Sequence, residues 1–384
     1  MLYLDHAATS PVRPEVREAM LPFLGERFGN PSSHHTVGEA AAEALDDARR
    51  RVAAVFGMRP GDIVFTSGGT EANNLAVKGI AIAAALRRGI PGHVVTTPIE
   101  HESILASVEY LERVHGVTVS RVAVDEAGRV DPDAVAAALR EDTALVSVGY
   151  ANNEVGTVQD VTALADVAAA RRVPLHLDAV QAAGWLPLSG TGADALSVAG
   201  HKIGAPAGTG VLAVRGRIPL EPLLHGGGQQ RGRRSGTEDV AGAVGIATAL
   251  ELAEAEREAA SARLVPLRDA FIARVLALVP TARLTGDPVR RLPGTASFTF
   301  AGVSGEAVLL ELERRGVVSS SGSACAAGSD DPSHVLIALG IAPEVAQTSV
   351  RFTFGHRLPA AADGLAEPLA DAVAASIAAV RSGT

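Results

Sequence analysis

Two short stretches carry residue types that could act together on a carbonyl cofactor. Ser197 to Gly210 reads SVAGHKIGAPAGTG and sets Lys202 directly after His201 and before a run of Gly, Ala and Pro. His176 to Gly184 reads HLDAVQAAG and ends an apolar run on Asp178. Pyridoxal phosphate chemistry needs two such groups: a lysine that holds an aldehyde as a Schiff base, and an anion that keeps a pyridine nitrogen protonated so that the ring accepts electrons. Each residue alone has a plainer reading. A lysine in a glycine-rich loop is commonly solvated surface, and an aspartate after a strand is commonly a helix cap.

Other candidates fall between apolar runs. Ser67-Gly68-Gly69-Thr70 lies between a strand and a helix, where the backbone N–H groups of Gly69 and Thr70 and the Thr70 hydroxyl suit a phosphate. A GxGxxA match at Gly208, Gly210 and Ala213 is followed by the strand-like VLAVR where a helix is required, so it is set aside. His101, in TTPIEHES, follows a strand end, where an imidazole could lie over a flat ring and move protons. Asn152, Asn153 and Gln181 put amides at two more strand ends, although such residues usually serve turns. Cys325 sits in SSSGSACAAGSDDPSH without apolar periodicity, a context that favours an exposed loop and a nucleophilic role over burial. Arg351, in TSVRFTFG, interrupts an apolar strand pattern and is either an edge ion pair or a bidentate carboxylate ligand.

The elements that must position these residues follow from periodicity. Pro14 to Phe28 reads as a helix, and a second helix begins at Thr36, where Thr36 and Glu39 have capping-box spacing. Short β-branched runs at 62, 93, 117, 143 and 174 then alternate with helical segments. That alternation predicts βαβ units, a mainly parallel sheet, and ligand chemistry at the strand carboxyl ends. An Ala- and Glu-rich helix from Val240 to about Val279 bridges to a smaller α+β unit. The expected domains are an N-terminal arm (1–15) packing with the small domain, a large domain (16–258), and a small C-terminal domain (259–384) that carries the cysteine loop.

Composition narrows the function classes. With 384 residues, 47% of them hydrophobic and 20% charged, the chain can bury a sizeable core. No run approaches the ~18 apolar residues of a membrane span, and the start MLYLDHAATS lacks a signal-peptide pattern; the expected location is the cytoplasm, away from membranes. A formal net charge of -9 disfavours nucleic acid as a partner. A single cysteine excludes an internal disulfide and a multi-cysteine metal site, so no metal is expected and any sulfur chemistry passes through one atom.

Taken in order, YLDHAATSPVRPEV, FGNPSS, FTSGGTEANN, EHES, ANNEVGT, HLDAVQAAG, GHK, GGGQQRGRRSGT, SSGSAC and VRFTFG resemble the cysteine desulfurases of the aminotransferase class V group, over nearly the whole chain. The SSGSAC loop resembles the group with the longer cysteine loop. The resemblance implies a pyridoxal-phosphate-dependent, aminotransferase-like α/β fold (fold type I), with a mainly parallel sheet in the large domain and a smaller α+β C-terminal domain. It implies that Lys202 carries the cofactor, Asp178 pairs the ring nitrogen, Gln181 contacts the ring hydroxyl, and His101 stacks on the ring and relays protons. Thr70, His201 and Thr237 are implied phosphate ligands, with Thr237 reaching in from the second subunit of a homodimer with shared active sites. Asn152 and Arg351 match the positions that hold the carboxylate of L-cysteine. Cys325 matches the nucleophile that takes its sulfur as a persulfide for a sulfur acceptor or scaffold protein, as in iron-sulfur assembly or tRNA thiolation. One departure is Ala199, which stands where the family commonly has a phosphate-binding hydroxyl three residues before the lysine, and predicts weaker cofactor binding. Within the same fold, a selenocysteine or cystine lyase is the alternative; from another class, a dinucleotide-binding dehydrogenase would need a correctly placed GxGxxG.

Overall fold

The computed structural model describes residues 1–321, 331–357 and 364–382. The chain starts in β1 (Leu2–Tyr3), and the alternation that follows builds one sheet from β2 (Ile63–Thr66), β3 (His93–Thr96), β4 (Thr118–Arg121), β5 (Thr143–Gly149), β6 (Leu175–Asp178), β7 (Ala195–Ala199) and β8 (Gly210–Val214). Across the sheet these strands lie in the order β2, β8, β7, β6, β5, β3, β4. β3 to β7 run parallel with β4, and β8 alone runs against both of its neighbours. The strand formed by VLAVR confirms that the GxGxxA match is incidental, since Ala213 sits within β8.

Helices cover both faces, which explains why these strands read as continuous apolar runs. On one face the helix Gly69–Arg88 buries Leu75, Val77 and Ile80 with Val64, Val94, Leu145 and Leu212 of the sheet. Each such side chain contributes about 1.5–3 kcal/mol when fully buried. On the other face the helix Thr36–Phe56 and the start of the helix Val240–Leu278 pack onto Val146, Leu177 and Leu196.

Two local expectations need correction. The first helix spans only Pro14–Met20 and gives way to a tighter turn at Leu21–Leu24. Pro22 explains the break, because it has no N–H to continue the helical hydrogen bonds. The second helix is capped by His35, whose Nδ1 accepts from Gly38 N at 3.2 Å, and not by Thr36.

The 39-residue helix Val240–Leu278 leaves the first core after Ala253 and enters a second one at Leu264. There β9 (Ala282–Leu284), β10 (Thr295–Phe300) and β12 (Ser349–Thr353) form an antiparallel sheet, while β11 (Val317–Val318) pairs in parallel with β1. Five of the nine phenylalanines (271, 298, 300, 352 and 354) meet in this second core. Leu4 is buried with them, so the N-terminus is held by the second core.

Candidate active site

A cavity of about 470 Å³ opens at the carboxyl ends of β3, β5, β6 and β7, against the N-terminus of the helix Gly69–Arg88. The parallel strands bring their ends to one edge, so residues far apart in sequence converge there. Lys202, His201, Asp178 and Gln181 line it from β6 and β7. His101, Asn152, Gly69 and Thr70 line it from the other strand ends, and Arg351 reaches it from β12.

Lys202 ends the short turn Gly200–Lys202 that follows β7. Its Nζ donates to the Ala7 carbonyl at 2.5 Å and to the Ala8 carbonyl at 2.7 Å. The chain has only one other lysine, Lys78. That side chain covers the Tyr110 ring at 4.9 Å and does not line this cavity. Next to Lys202, His201 Nδ1 lies 3.3 Å from Thr9 Oγ1. Burial, aided by the Lys202 charge, pulls the His201 pKa down to about 4, so its imidazole is neutral at pH 7.

Asp178 ends β6 and is fixed through both oxygens. Oδ2 accepts from Asn73 Nδ2 at 2.7 Å and Oδ1 from Val180 N at 3.0 Å. Asn73 also donates to Ser103 Oγ at 3.0 Å, while its buried Oδ1 has no partner among the described residues. Two residues earlier on β6, His176 bridges Ser147 Oγ (2.9 Å) and Ser197 Oγ (2.8 Å), crossing three strands with a pKa lowered to about 4 by burial. Gln181 Nε2 donates to the Ala7 carbonyl at 3.0 Å.

His101 caps the helix Glu102–His115: its Nδ1 accepts from Ser103 N at 3.0 Å. Beside it Glu100 is buried, with Thr97 Oγ1 donating to Oε1 at 2.6 Å. Burial and then the nearby Asp178 charge push the Glu100 pKa up to about 8, against the Thr97 hydrogen bond. The carboxyl groups that line the cavity thus differ in kind: Asp178 is supplied with donors, Glu71 pairs with Arg234, and Glu100 keeps its proton at pH 7.

At the helix N-terminus close packing demands glycine. A Cβ on Gly69 would stand 2.7 Å from Val180 Cγ2, and one on Gly210 would stand 2.5 Å from the Gly68 backbone. Glu71 accepts from Ser67 N at 2.7 Å and pairs with Arg234 at 2.8 Å. Thr237 is exposed and lies outside the main cavity of its own chain. It lines a neighbouring cavity of about 150 Å³ that shares Ser67 and Gly208 with the first.

Arg351 is only 1% exposed. Its Nη2 donates to Asp5 Oδ1 at 2.8 Å and its Nη1 to the Asn153 carbonyl at 2.8 Å, while Nε has no partner among the described residues. Asn152 is engaged in its own turn, donating to the Ile99 carbonyl at 3.0 Å and accepting from Glu154 N (2.9 Å) and Val155 N (3.0 Å). Cys325 lies outside the described residues. Among the described residues no cluster of three or more His, Cys, Asp or Glu is arranged to hold a metal ion.

The sequence reading missed Asp5, Ala7, Asn73 and Glu100. Asn73 had a findable signal, because it stands four residues after Gly69 and so shares its helix face. Asp5 had none beyond its charge, since its partner is 346 residues away.

A lysine amine and a donor-backed carboxylate sharing a strand-end cavity with a glycine-built helix N-terminus define an α/β enzyme site for a phosphate-bearing carbonyl cofactor. Residues 2–361 match the family model Aminotransferase class-V. The cysteine desulfurase IscS of Dictyoglomus turgidum is 44% identical over 92% of this chain and 89% of its own length. An IscS-like cysteine desulfurase of Mycobacterium tuberculosis is 46% identical over 97% and 96%. A solved NifS-like protein superposes with a TM-score of 0.88 at 33% identity, covering all of both chains. The chain belongs to the aminotransferase class-V family.

Proposed function

We infer that the chain is a pyridoxal-phosphate-dependent cysteine desulfurase that converts L-cysteine to L-alanine and takes the sulfur onto Cys325. The observation that carries this is the convergence of Lys202, one of only two lysines, with Asp178 in a single cavity. The residues fit the cofactor by their chemistry. Asp178 has donors that keep its anion aimed into a cavity with an uncommitted Asn73 Oδ1, and the Gly69 corner leaves its helix N-terminus open to an anion. Bound there, the cofactor supplies an aldehyde that condenses with amines and a protonated ring that draws electrons from the substrate Cα.

The chain's own residues do the rest. Lys202 Nζ would hold the cofactor through its aldehyde, and with substrate bound would move the proton at Cα. Asp178 would hold the proton on the ring nitrogen, Gln181 would meet the ring oxygen, and His101 would lie against the ring. Gly69, Thr70 and neutral His201 would hold the phosphate. We place Thr237 at the phosphate of the second subunit in a homodimer, a reading supported by its exposure outside its own cavity. Arg351 and the remaining N–H of Asn152 hold the substrate carboxylate. The Cys325 thiolate attacks the substrate sulfur: an S–S bond forms, the C–S bond breaks, and a proton replaces sulfur on carbon. L-cysteine and one thiol thus become L-alanine and one persulfide, with no external oxidant. The persulfide passes to a sulfur acceptor such as iron-sulfur assembly or tRNA thiolation machinery.

The domain reading follows the two cores: an arm at 1–15, a large unit to residue 258 and a small unit beyond it, supported by the handover inside the helix Val240–Leu278. No helix among the described residues is long and apolar enough to cross a membrane; we place the protein in the cytoplasm. No observation favours the selenocysteine or cystine lyase alternative.

The test is the intact mass of the holoenzyme after brief exposure to L-cysteine. A reducible gain of one sulfur atom on Cys325, with alanine released, is expected. In Cys325→Ser the visible absorption should persist while reducible sulfur and sulfide release collapse. Undiminished release from that variant would overturn the persulfide step.

A further inference from the structure

The first ten residues form a strap across the cavity that joins both cores. β1 pairs with β11, Leu4 N donates to the Val318 carbonyl at 2.8 Å, and Thr353 N donates to the Leu4 carbonyl at 2.7 Å. The strap then crosses to the other side. Ala7 and Ala8 carbonyls accept from Lys202, Ser10 N donates to the His201 carbonyl at 2.8 Å, and Tyr3 Oη ties the Asp5 carbonyl (3.0 Å) to the Thr9 carbonyl (2.9 Å). Between these anchors Asp5 has little freedom, and its carboxylate meets the Arg351 guanidinium.

The arrangement is not a surface ion pair. Arg351 is 1% exposed and the Asp5 side chain 17%, so the charge–charge contact is shielded from solvent and its geometry is fixed by packing. The second acidic side chain in this neighbourhood, Glu154, accepts from Ser333 Oγ, and burial pushes its pKa up; Asp5 is the carboxylate in direct contact with Arg351. With Nη1 spent on the Asn153 carbonyl and Nη2 on Asp5, the planar guanidinium is locked in one orientation, and Nε is the nitrogen without a partner among the described residues.

We propose that Asp5 is a positioning residue for substrate selection: it presets the Arg351 guanidinium, so that the site admits an amino acid by its α-carboxylate. The proposal rests on the reading of Arg351 as the carboxylate ligand. Asp5 touches neither substrate nor cofactor and works only through Arg351. Preorganised guanidinium lowers the ordering cost of carboxylate capture, so the effect of losing Asp5 belongs in ligand affinity and not in chemistry.

The experiment compares L-cysteine with cysteamine, its analogue lacking the carboxylate. Dissociation constants come from the visible absorption change each causes in the holoenzyme on rapid mixing, with KM and kcat for L-cysteine measured in parallel. Asp5→Ala should weaken L-cysteine about tenfold or more and leave cysteamine within about twofold, with the loss in KM and not in kcat. Asp5→Asn keeps an acceptor without the charge and should fall between. Should Asp5→Ala fail to fold, as judged by melting, Asp5→Asn alone decides. Equal weakening of both ligands, or a loss confined to kcat, overturns the proposal. Arg351→Ala separates the two readings: if it discriminates between the ligands and the Asp5 variants do not, only the Asp5 proposal fails; if it does not discriminate, Arg351 is not the carboxylate ligand.

Discussion

The cavity has two walls built on different principles. The wall from the first core stands on consecutive strand ends, where the backbone ladder fixes Asp178, the Lys202 turn and Asn152 by local geometry. Among the described residues, the wall from the second core holds one candidate side chain, Arg351, and holds it through an ion pair with the far N-terminus. Sheet edges give exact placement cheaply, because every neighbouring strand reinforces it; a strap gives placement that depends on distant parts of one chain staying docked. In the proposed roles, the chemistry of proton and aldehyde falls to the first wall, and capture of the carboxylate is shared between Asn152 of the first wall and Arg351 of the second.

The largest effect should come from the first wall. Lys202→Ala should cut sulfur release by at least about 10³-fold, because it removes both the covalent anchor and a positioned base. A readout independent of turnover is borohydride fixation. The native chain should gain the cofactor's mass irreversibly, whereas the variant should not, since Lys78 lies over Tyr110 and outside the cavity. Irreversible labelling of the variant would place the aldehyde elsewhere and dissolve the division between the walls.

That division also decides what could be read from the sequence. The sheet was legible because the runs at 62, 93, 117, 143 and 174 mark five of its strands, and chemistry follows an end closely where Asp178 closes LHLD; β7, ALSVA, three residues before Lys202, carries a single β-branched residue and was not among those runs. Residues that act from within an element or across the fold were not legible. Asn73 lies one helical turn past the loop that drew attention, Glu100 stands beside the more conspicuous His101, and Asp5 meets its partner only once both cores have formed. The Thr36 cap failed for a similar reason, since the side chain that caps is chosen by the path of the preceding loop, which brought His35 to Gly38 N.

A second prediction probes the protonated carboxyl of the first wall. Glu100 ionises near 4.5 when unfolded but keeps its proton to about pH 8 when folded. As pH rises through that window the unfolded chain gives up a proton that the folded chain retains, so this group makes stability fall with pH until the folded carboxyl also ionises. Glu100→Gln should remove that slope. The variant should match the native chain near pH 4.5 and exceed it by a few kcal/mol near pH 8, with the Thr97 hydroxyl reversing to accept from the new amide. Melting temperature against pH checks this, and parallel curves for the two chains would mean that Glu100 is ionised beside Asp178.

The smallest effect concerns the phosphate corner of the same wall. Ala199 ends β7 with its Cβ 3.2 Å from where a Gly69 Cβ would stand, so a hydroxyl at this position faces the helix N-terminus. Ala199→Ser should tighten the cofactor about tenfold, the equivalent of one charge-assisted hydrogen bond of about 1.5 kcal/mol, and leave kcat unchanged because the reacting atoms are untouched. Titrating the cofactor-free protein with pyridoxal phosphate measures it. Unchanged affinity would mean that Thr70 and His201 already satisfy the phosphate, and weaker affinity would mean that the phosphate needs the space the methyl leaves, so this one atom distinguishes a corner short of a donor from one that is already full.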